Sequence, residues 1–172
     1  MNIVALDIDD CILPSSQMWF GDTKDCHDML EINLKRLVMM CDKYDMKIFI
    51  TSSWYSILTL KDGVLDYKLR ADAVQGKPYY RWEYQAYLLI EKYLQGRIIG
   101  LSCGNRFTDI RKLDKDGHKV IAMDDMNLSE LESDNVAFVY TTGFIDGLCG
   151  YKTHLFMTEG KKYENKREKF KS

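Results

Sequence analysis

A chain of 172 residues with 46% hydrophobic side chains suits one domain with a real core and is too short for two full ones. Its 24 basic and 26 acidic side chains sum to a charge of −2, which fits an ordinary globular protein, and no apolar run approaches the ~20 residues needed to span a bilayer. Five cysteines, an odd number without a Cys-x-x-Cys pair, argue against a disulfide framework and against a zinc cluster. With no basic segment ahead of the first apolar stretch, these features predict a cytoplasmic protein with reduced thiols and no membrane partner.

In chain order, Ile3-Val4-Ala5-Leu6 followed by Asp7-Ile8-Asp9-Asp10-Cys11 predicts a strand buried on both faces. It delivers carboxylates to its carboxyl edge, where open α/β sheets bind ligands. Residues 13–23, with Pro14, Trp19 and Gly21, read as a loop or short flap over that edge. Asp25 can cap a helix whose positions Leu30, Leu34, Leu37, Val38 and Cys41 share one face. Residues 47–50 predict a second strand, parallel to the first, that ends in Thr51-Ser52. Residues 54–60 predict the start of another helix, with a turn at Asp62-Gly63, and residues 71–74 are a short strand candidate.

Helix signals resume at Tyr80, with Trp82, Ala86, Leu89, Ile90 and Tyr93 along one face and a stop near Gly96. The aromatics Tyr79, Tyr80, Trp82, Tyr84 and Tyr87 read as packing surface rather than as a platform for nucleobases. Residues 97–101 could be a strand and residues 105–113 a short helix, so 97–118 reads as an insertion. Its charges, Arg106, Arg111, Lys112, Lys115 and His118 among three Asp, read as a solvated loop. Residues 119–123 predict the strand that presents Asp124-Asp125, and residues 136–140 a fifth strand. Gly147 and Gly150 interrupt any helix in residues 143–158. Residues 161–172 carry six basic and two acidic side chains, a local +4 that leaves −6 on the first 160 residues, and read as a solvated basic tail. The alternation of strand and helix predicts an α/β fold over residues 1–160: a Rossmann-like three-layer sandwich around a mainly parallel five-stranded sheet.

Three strand ends therefore carry groups that can hold a phosphate or a metal. Gathering Asp7, Asp9, Asp124 and Asp125 at one edge raises carboxylate pKa values by mutual repulsion, and a divalent cation relieves the conflict. Mg²⁺ suits an all-oxygen site that keeps several waters and shares a substrate phosphate. Either or both of Asp124 and Asp125 can ligate, and one of them can instead cap whatever follows the strand. Thr51 or Ser52 can donate a hydroxyl to a phosphate oxygen. Cys11, with no His evident nearby, reads as a small filler side chain rather than a nucleophile. Trp54 reads as a packing residue.

These segments resemble the haloacid dehalogenase-like (HAD) superfamily of aspartate-nucleophile phosphohydrolases. Asp7 and Asp9 are similar to its first motif, with Asp10 where Gly is commoner and Cys11 where Thr or Val is commoner. Thr51, with Ser52 a close rival, is similar to the second motif, Lys77 ahead of Pro78 to the third, and Asp124-Asp125 to the fourth. The resemblance implies that Asp7 attacks phosphorus to form an aspartyl-phosphate and that Asp9 serves as general acid and base. It further implies that Lys77 neutralises charge, and that Mg²⁺ is held by Asp7, the backbone carbonyl of Asp9, and Asp124 or Asp125. Neither the gap between the first two motifs nor the one ahead of Lys77 can hold a full cap domain. A capless site in this superfamily often serves macromolecules, and the segments around Thr51 and Asp124 look similar to nucleic-acid end-repair modules and deoxynucleotidase-like phosphatases. The expected activity is a Mg²⁺-dependent phosphatase of a nucleotide or a polynucleotide phosphate end. A small phosphometabolite or phosphoprotein as target, and a catalytically silent HAD-fold binding module, are the rival readings.

Overall fold

The computed structural model describes residues 1–16, 23–70, 73 and 78–162. Strands β1 (Asn2–Leu6), β2 (Met46–Ile50), β5 (Ile98–Leu101), β6 (Lys119–Asp124) and β7 (Val136–Tyr140) form one parallel sheet in the order β5-β2-β1-β6-β7. Helices α1 (Thr23–Tyr44), α2 (Pro78–Leu94), α3 (Arg106–Lys115) and α4 (Gly147–Glu159) cover it, giving the expected α/β three-layer sandwich. In the central strand β1 the run Ile3–Leu6 is apolar and buried because both faces are covered.

Successive side chains of a strand point to opposite faces, and the core divides accordingly. Val4, Leu6, Ile48, Ile50, Ile121, Met123, Ala137 and Val139 pack with α1, α2 and Phe156 of α4. Ile3, Ala5, Val120, Ala122, Val136 and Phe138 pack on the other side with Ile110 and Leu113 of α3. The expected α1 face is correct: Leu30, Leu34, Leu37 and Cys41 are buried at three- and four-residue spacing. The helix begins at Thr23, so Asp25 stands in its first turn rather than at its cap. Helix α2 also turns its expected face inward, through Trp82, Ala86 and Ile90, with Tyr87 beside them.

Four expectations need correction. Residues 54–60 do not start an α-helix: a 3₁₀ turn, Ser53–Ser56, gives way to the antiparallel hairpin β3 (Leu58–Lys61) and β4 (Val64–Tyr67). Asp62 and Gly63 both take positive φ, the two-residue turn that Asp-Gly favours between strands. Of the strand candidate at 71–74 only Ala73 is described, and it is helical, its N–H donating to the Leu69 carbonyl. Residues 97–118 are no insertion: β5 and α3 are a regular unit of the main sheet. Finally, residues 147–159 are helical despite Gly147 and Gly150, because the Asp146 side chain caps the first turn and Phe156 is wholly buried.

The five cysteines are all free, in keeping with the absence of a disulfide framework. No helix among the described residues is long and apolar enough to cross a membrane. Most of the tail, residues 163–172, lies outside the described residues.

Candidate active site

Parallel pairing in register sets the site. Leu6 lies opposite Ile50 of β2 and Met123 of β6, so the next residue of each strand, Asp7, Thr51 and Asp124, falls on one rung at the carboxyl edge. Backbone bonds hold that rung: the Asp7 N–H donates to the Met123 carbonyl at 3.1 Å, and the Thr51 N–H to the Leu6 carbonyl at 2.9 Å. Asp7, Asp124 and Asp125 are all buried, and each offers a carboxylate oxygen such that these atoms lie within 4.8 Å of one another.

The counter-charge comes from a residue that the sequence leaves unremarkable. Arg106, the first residue of α3, places Nη1 2.5 Å from Asp124 Oδ2 and 3.6 Å from Asp7 Oδ2. Asn105 caps that helix by accepting from the Thr108 N–H, which fixes where the helix starts and hence where Arg106 stands. Burial alone would lower the Arg106 pKa; Asp124 and Asp7 outweigh it and keep the charge in place. The readable signal was the apolar run Ile98–Leu101 followed by an Asn cap. Taken as a core strand, it puts the first turn of the next helix at the carboxyl edge.

Among the described residues, the Arg106 guanidinium is shared between the Asp7 and Asp124 carboxylates. Burial, and then repulsion from Asp124, push the Asp7 carboxyl up to about 8, against the pull of Arg106. Asp124 is also raised, by its burial first, although Arg106 and the Met126 N–H oppose this. A hard divalent ion fits this donor set, because carboxylate oxygens are hard ligands and a cation would offset their mutual repulsion. Asp124 does double duty, since its Oδ1 also accepts from the Met126 N–H at 2.9 Å.

The two rival hydroxyls separate. Ser52 Oγ accepts from the Trp54 N–H and caps the 3₁₀ turn. Thr51 Oγ1 is buried with no hydrogen-bond partner among the described residues. Such an orphan is costly unless something arrives to satisfy it, and a phosphate oxygen would.

Asp9 stands apart from the carboxylate cluster. The Ile8 carbonyl accepts from the N–H groups of Cys11, Ile12 and Leu13, a tight turn that swings the chain off the strand direction. Trp54 holds Asp9 there, its indole Nε1 donating to Oδ2 at 3.1 Å, so this tryptophan positions a carboxyl as well as packing. Burial raises the Asp9 carboxyl above its ordinary value, with the Trp54 bond opposing. Asp10 takes φ +54°, the left-handed region that glycine adopts most freely, and Oδ1 of its side chain accepts from the Ser16 N–H. Cys11 is wholly buried with its thiol pushed well up, which suits the filler role. Lys77 lies outside the described residues.

Of the residues singled out in sequence, the fold brings Asp7, Thr51, Asp124 and Asp125 to one edge, sets Asp9 in the adjoining turn and engages Ser52 as a cap. Compared with protein-family models, curated proteins and solved structures, the chain has no match.

Proposed function

We propose that this protein is a divalent-metal-dependent phosphohydrolase with Asp7 as nucleophile, acting on a phosphomonoester of the nucleotide type. The observation that carries the reading is the buried Asp7, Asp124 and Asp125 cluster, faced by Arg106 and flanked by the orphaned Thr51 hydroxyl. The resemblance of the same strand ends to HAD phosphohydrolases supports the same chemistry and favours Mg²⁺.

In this reading Asp7, Asp124 and Asp125 hold the ion, which supplies Lewis-acid stabilisation of charge on the phosphoryl oxygens when bound. Thr51 donates its hydroxyl to one phosphate oxygen, and Arg106 adds positive charge beside that which the resemblance assigns to Lys77. An Asp7 oxygen attacks phosphorus, the ester P–O bond breaks, and Asp9 gives a proton to the departing alkoxide. Water then attacks the aspartyl-phosphate, Asp9 takes its proton, and inorganic phosphate leaves with Asp7 restored. The Thr51 hydroxyl, unpartnered among the described residues, and the Trp54-held Asp9 support these two roles.

The test is phosphate release with Mg²⁺ from an aryl phosphate, nucleotides, and 3′- or 5′-phosphorylated oligonucleotides. Turnover of at least one class, lowered at least about 10³-fold by Asp7→Asn, is the expected result. No release from the whole panel, or release indifferent to Asp7→Asn, would overturn the reading.

A further inference from the structure

The Asp9 carboxyl opens on a cavity of about 280 Å³, lined by Asp9, Ser53, Trp54, Ile57, Tyr80 and Glu83 among others. We propose that it recognises the leaving group of the substrate, and that it selects a small, ring-bearing alcohol that carries no negative charge and gains from an amino group. The proposal rests on the phosphohydrolase reading, because it is Asp9, the proton donor to the leaving oxygen, that joins this cavity to the chemistry.

Location comes first. The Asp9 carboxyl lines the cavity and is pinned by the Trp54 indole, so a leaving group protonated by Asp9 must project into this space. Size comes next. Ligand cavities commonly hold about 300–1,000 Å³, so this one lies at the small end, suited to a single ring-bearing alcohol rather than a run of nucleotides.

Charge decides the rest. Among the described lining residues, Asp9 and Glu83 carry carboxyl groups and none is a Lys, Arg or His. Glu83 is only 5% exposed and accepts from the Tyr67 hydroxyl at 2.6 Å through Oε1. A carboxylate has about four acceptor sites, so Glu83 retains capacity for an incoming N–H or O–H donor. An anionic leaving group would instead face the Glu83 carboxylate in a partly desolvated space, Asp9 carrying the proton it donates. Trp54 and Tyr80 offer aromatic surface, which favours a planar ring and a cation placed over it. A polynucleotide end is disfavoured on both counts, since its next phosphodiester brings bulk and negative charge together.

The experiment pairs binding with turnover in the full chain. Benzylamine and benzoate share a ring and differ in charge, and tryptophan fluorescence reads their binding, with Trp54→Phe as the control for the reporting residue. Benzylamine should bind at least about tenfold more tightly, and Glu83→Gln, which keeps the shape and the acceptor for Tyr67, should remove most of that preference. In turnover with Mg²⁺, kcat/KM should be at least tenfold higher for phosphate esters of neutral or amine-bearing ring alcohols than for phosphoglycerate or 5′-phosphorylated oligonucleotides. Glu83→Gln should act chiefly on KM for the amine-bearing esters, raising it at least about tenfold with little change in kcat. Equal binding of the two ions, or indifference to Glu83→Gln, overturns the proposal even where hydrolysis is intact. So does faster turnover of oligonucleotide ends. Glu83-dependent benzylamine binding in a protein that hydrolyses nothing would support the recognition site and remove the phosphohydrolase reading.

Discussion

Asp7 is the residue on which burial and charge conflict most sharply. Its carboxyl is held up at about 8 in the fold against an ordinary 3.8, so between those values the folded chain keeps a proton that the unfolded chain has lost. That raised pKa stabilises the protein fully below the ordinary value, and the contribution is lost as pH climbs towards 8, by up to about 1.4 kcal/mol for each unit. In chelator, Asp7→Asn should therefore be more stable than the native chain near pH 8, with the gap closing towards pH 4, as read from urea midpoints. A variant less stable than native near pH 8 would show that Arg106 compensates an ionised Asp7 in full. Arg106→Met tests the other side of the pair. It strips the guanidinium from the buried Asp7 and Asp124 carboxylates and should lower phosphohydrolase turnover about 10²–10³-fold, with Arg106→Lys recovering part of the loss. Asp7, Thr51 and Asp124 could be read in sequence because each directly follows an apolar run, and a buried strand dictates where its next residue emerges. Arg106 could be placed at that edge through β5 and its Asn cap, but its role stayed hidden, since an arginine opening a polar helix looks like any surface arginine until Asp124 is known to face it.

Asn33 shows how the elements are tied together. Wholly buried in α1, it donates through Nδ2 to the Ile12 and Gly143 carbonyls at 2.7 and 2.8 Å and accepts from the Ile145 N–H at 2.9 Å. One amide thus clamps the loops that follow β1 and β7 to the helix between them in the layer. Asn33→Leu would leave three buried backbone groups unpaired, each costing about 1–3 kcal/mol, so a loss of at least about 3 kcal/mol is expected in chemical denaturation. A loss under about 1 kcal/mol would mean that water reaches those groups. The elements that sequence reasoning recovered are those buried on both sides or on one clean helical stripe. Those it misplaced are governed by a single competing contact. Gly100 leaves β5 looking weak, yet a Cβ there would stand 2.4 Å from the Phe49 ring of β2, so the glycine is what permits the strands to lie together. In the hairpin Leu58–Tyr67 an Asp-Gly turn overrides the helical reading of the residues before it. In α4 an aspartate cap and a buried phenylalanine outweigh two glycines, each worth about 1 kcal/mol against helix.

At the scale of the whole molecule, the site and the stability of the fold are one property. The carboxylates come from the ends of β1 and β6, the free hydroxyl from β2, and the guanidinium from the helix after β5, so four of the five sheet strands set its geometry. An ion bound there would stabilise the entire domain, because unfolding any central strand dissolves the site. It must also compete with the proton that Asp7 holds up to about 8, so binding releases a proton and strengthens as pH rises. Saturating Mg²⁺ at about 100 times its Kd is worth about 2.7 kcal/mol, which for a chain of this size raises Tm by roughly 5–10 °C. That shift should be full near pH 8, reduced near pH 6 and absent near pH 5, where the proton wins. The double variant Asp124→Asn, Asp125→Asn should lose it at every pH while still unfolding cooperatively, since amides keep the volume of the buried groups and remove their repulsion. A Mg²⁺ shift that is the same at both ends of that range, or that survives in the double variant, would place the ion elsewhere on the protein.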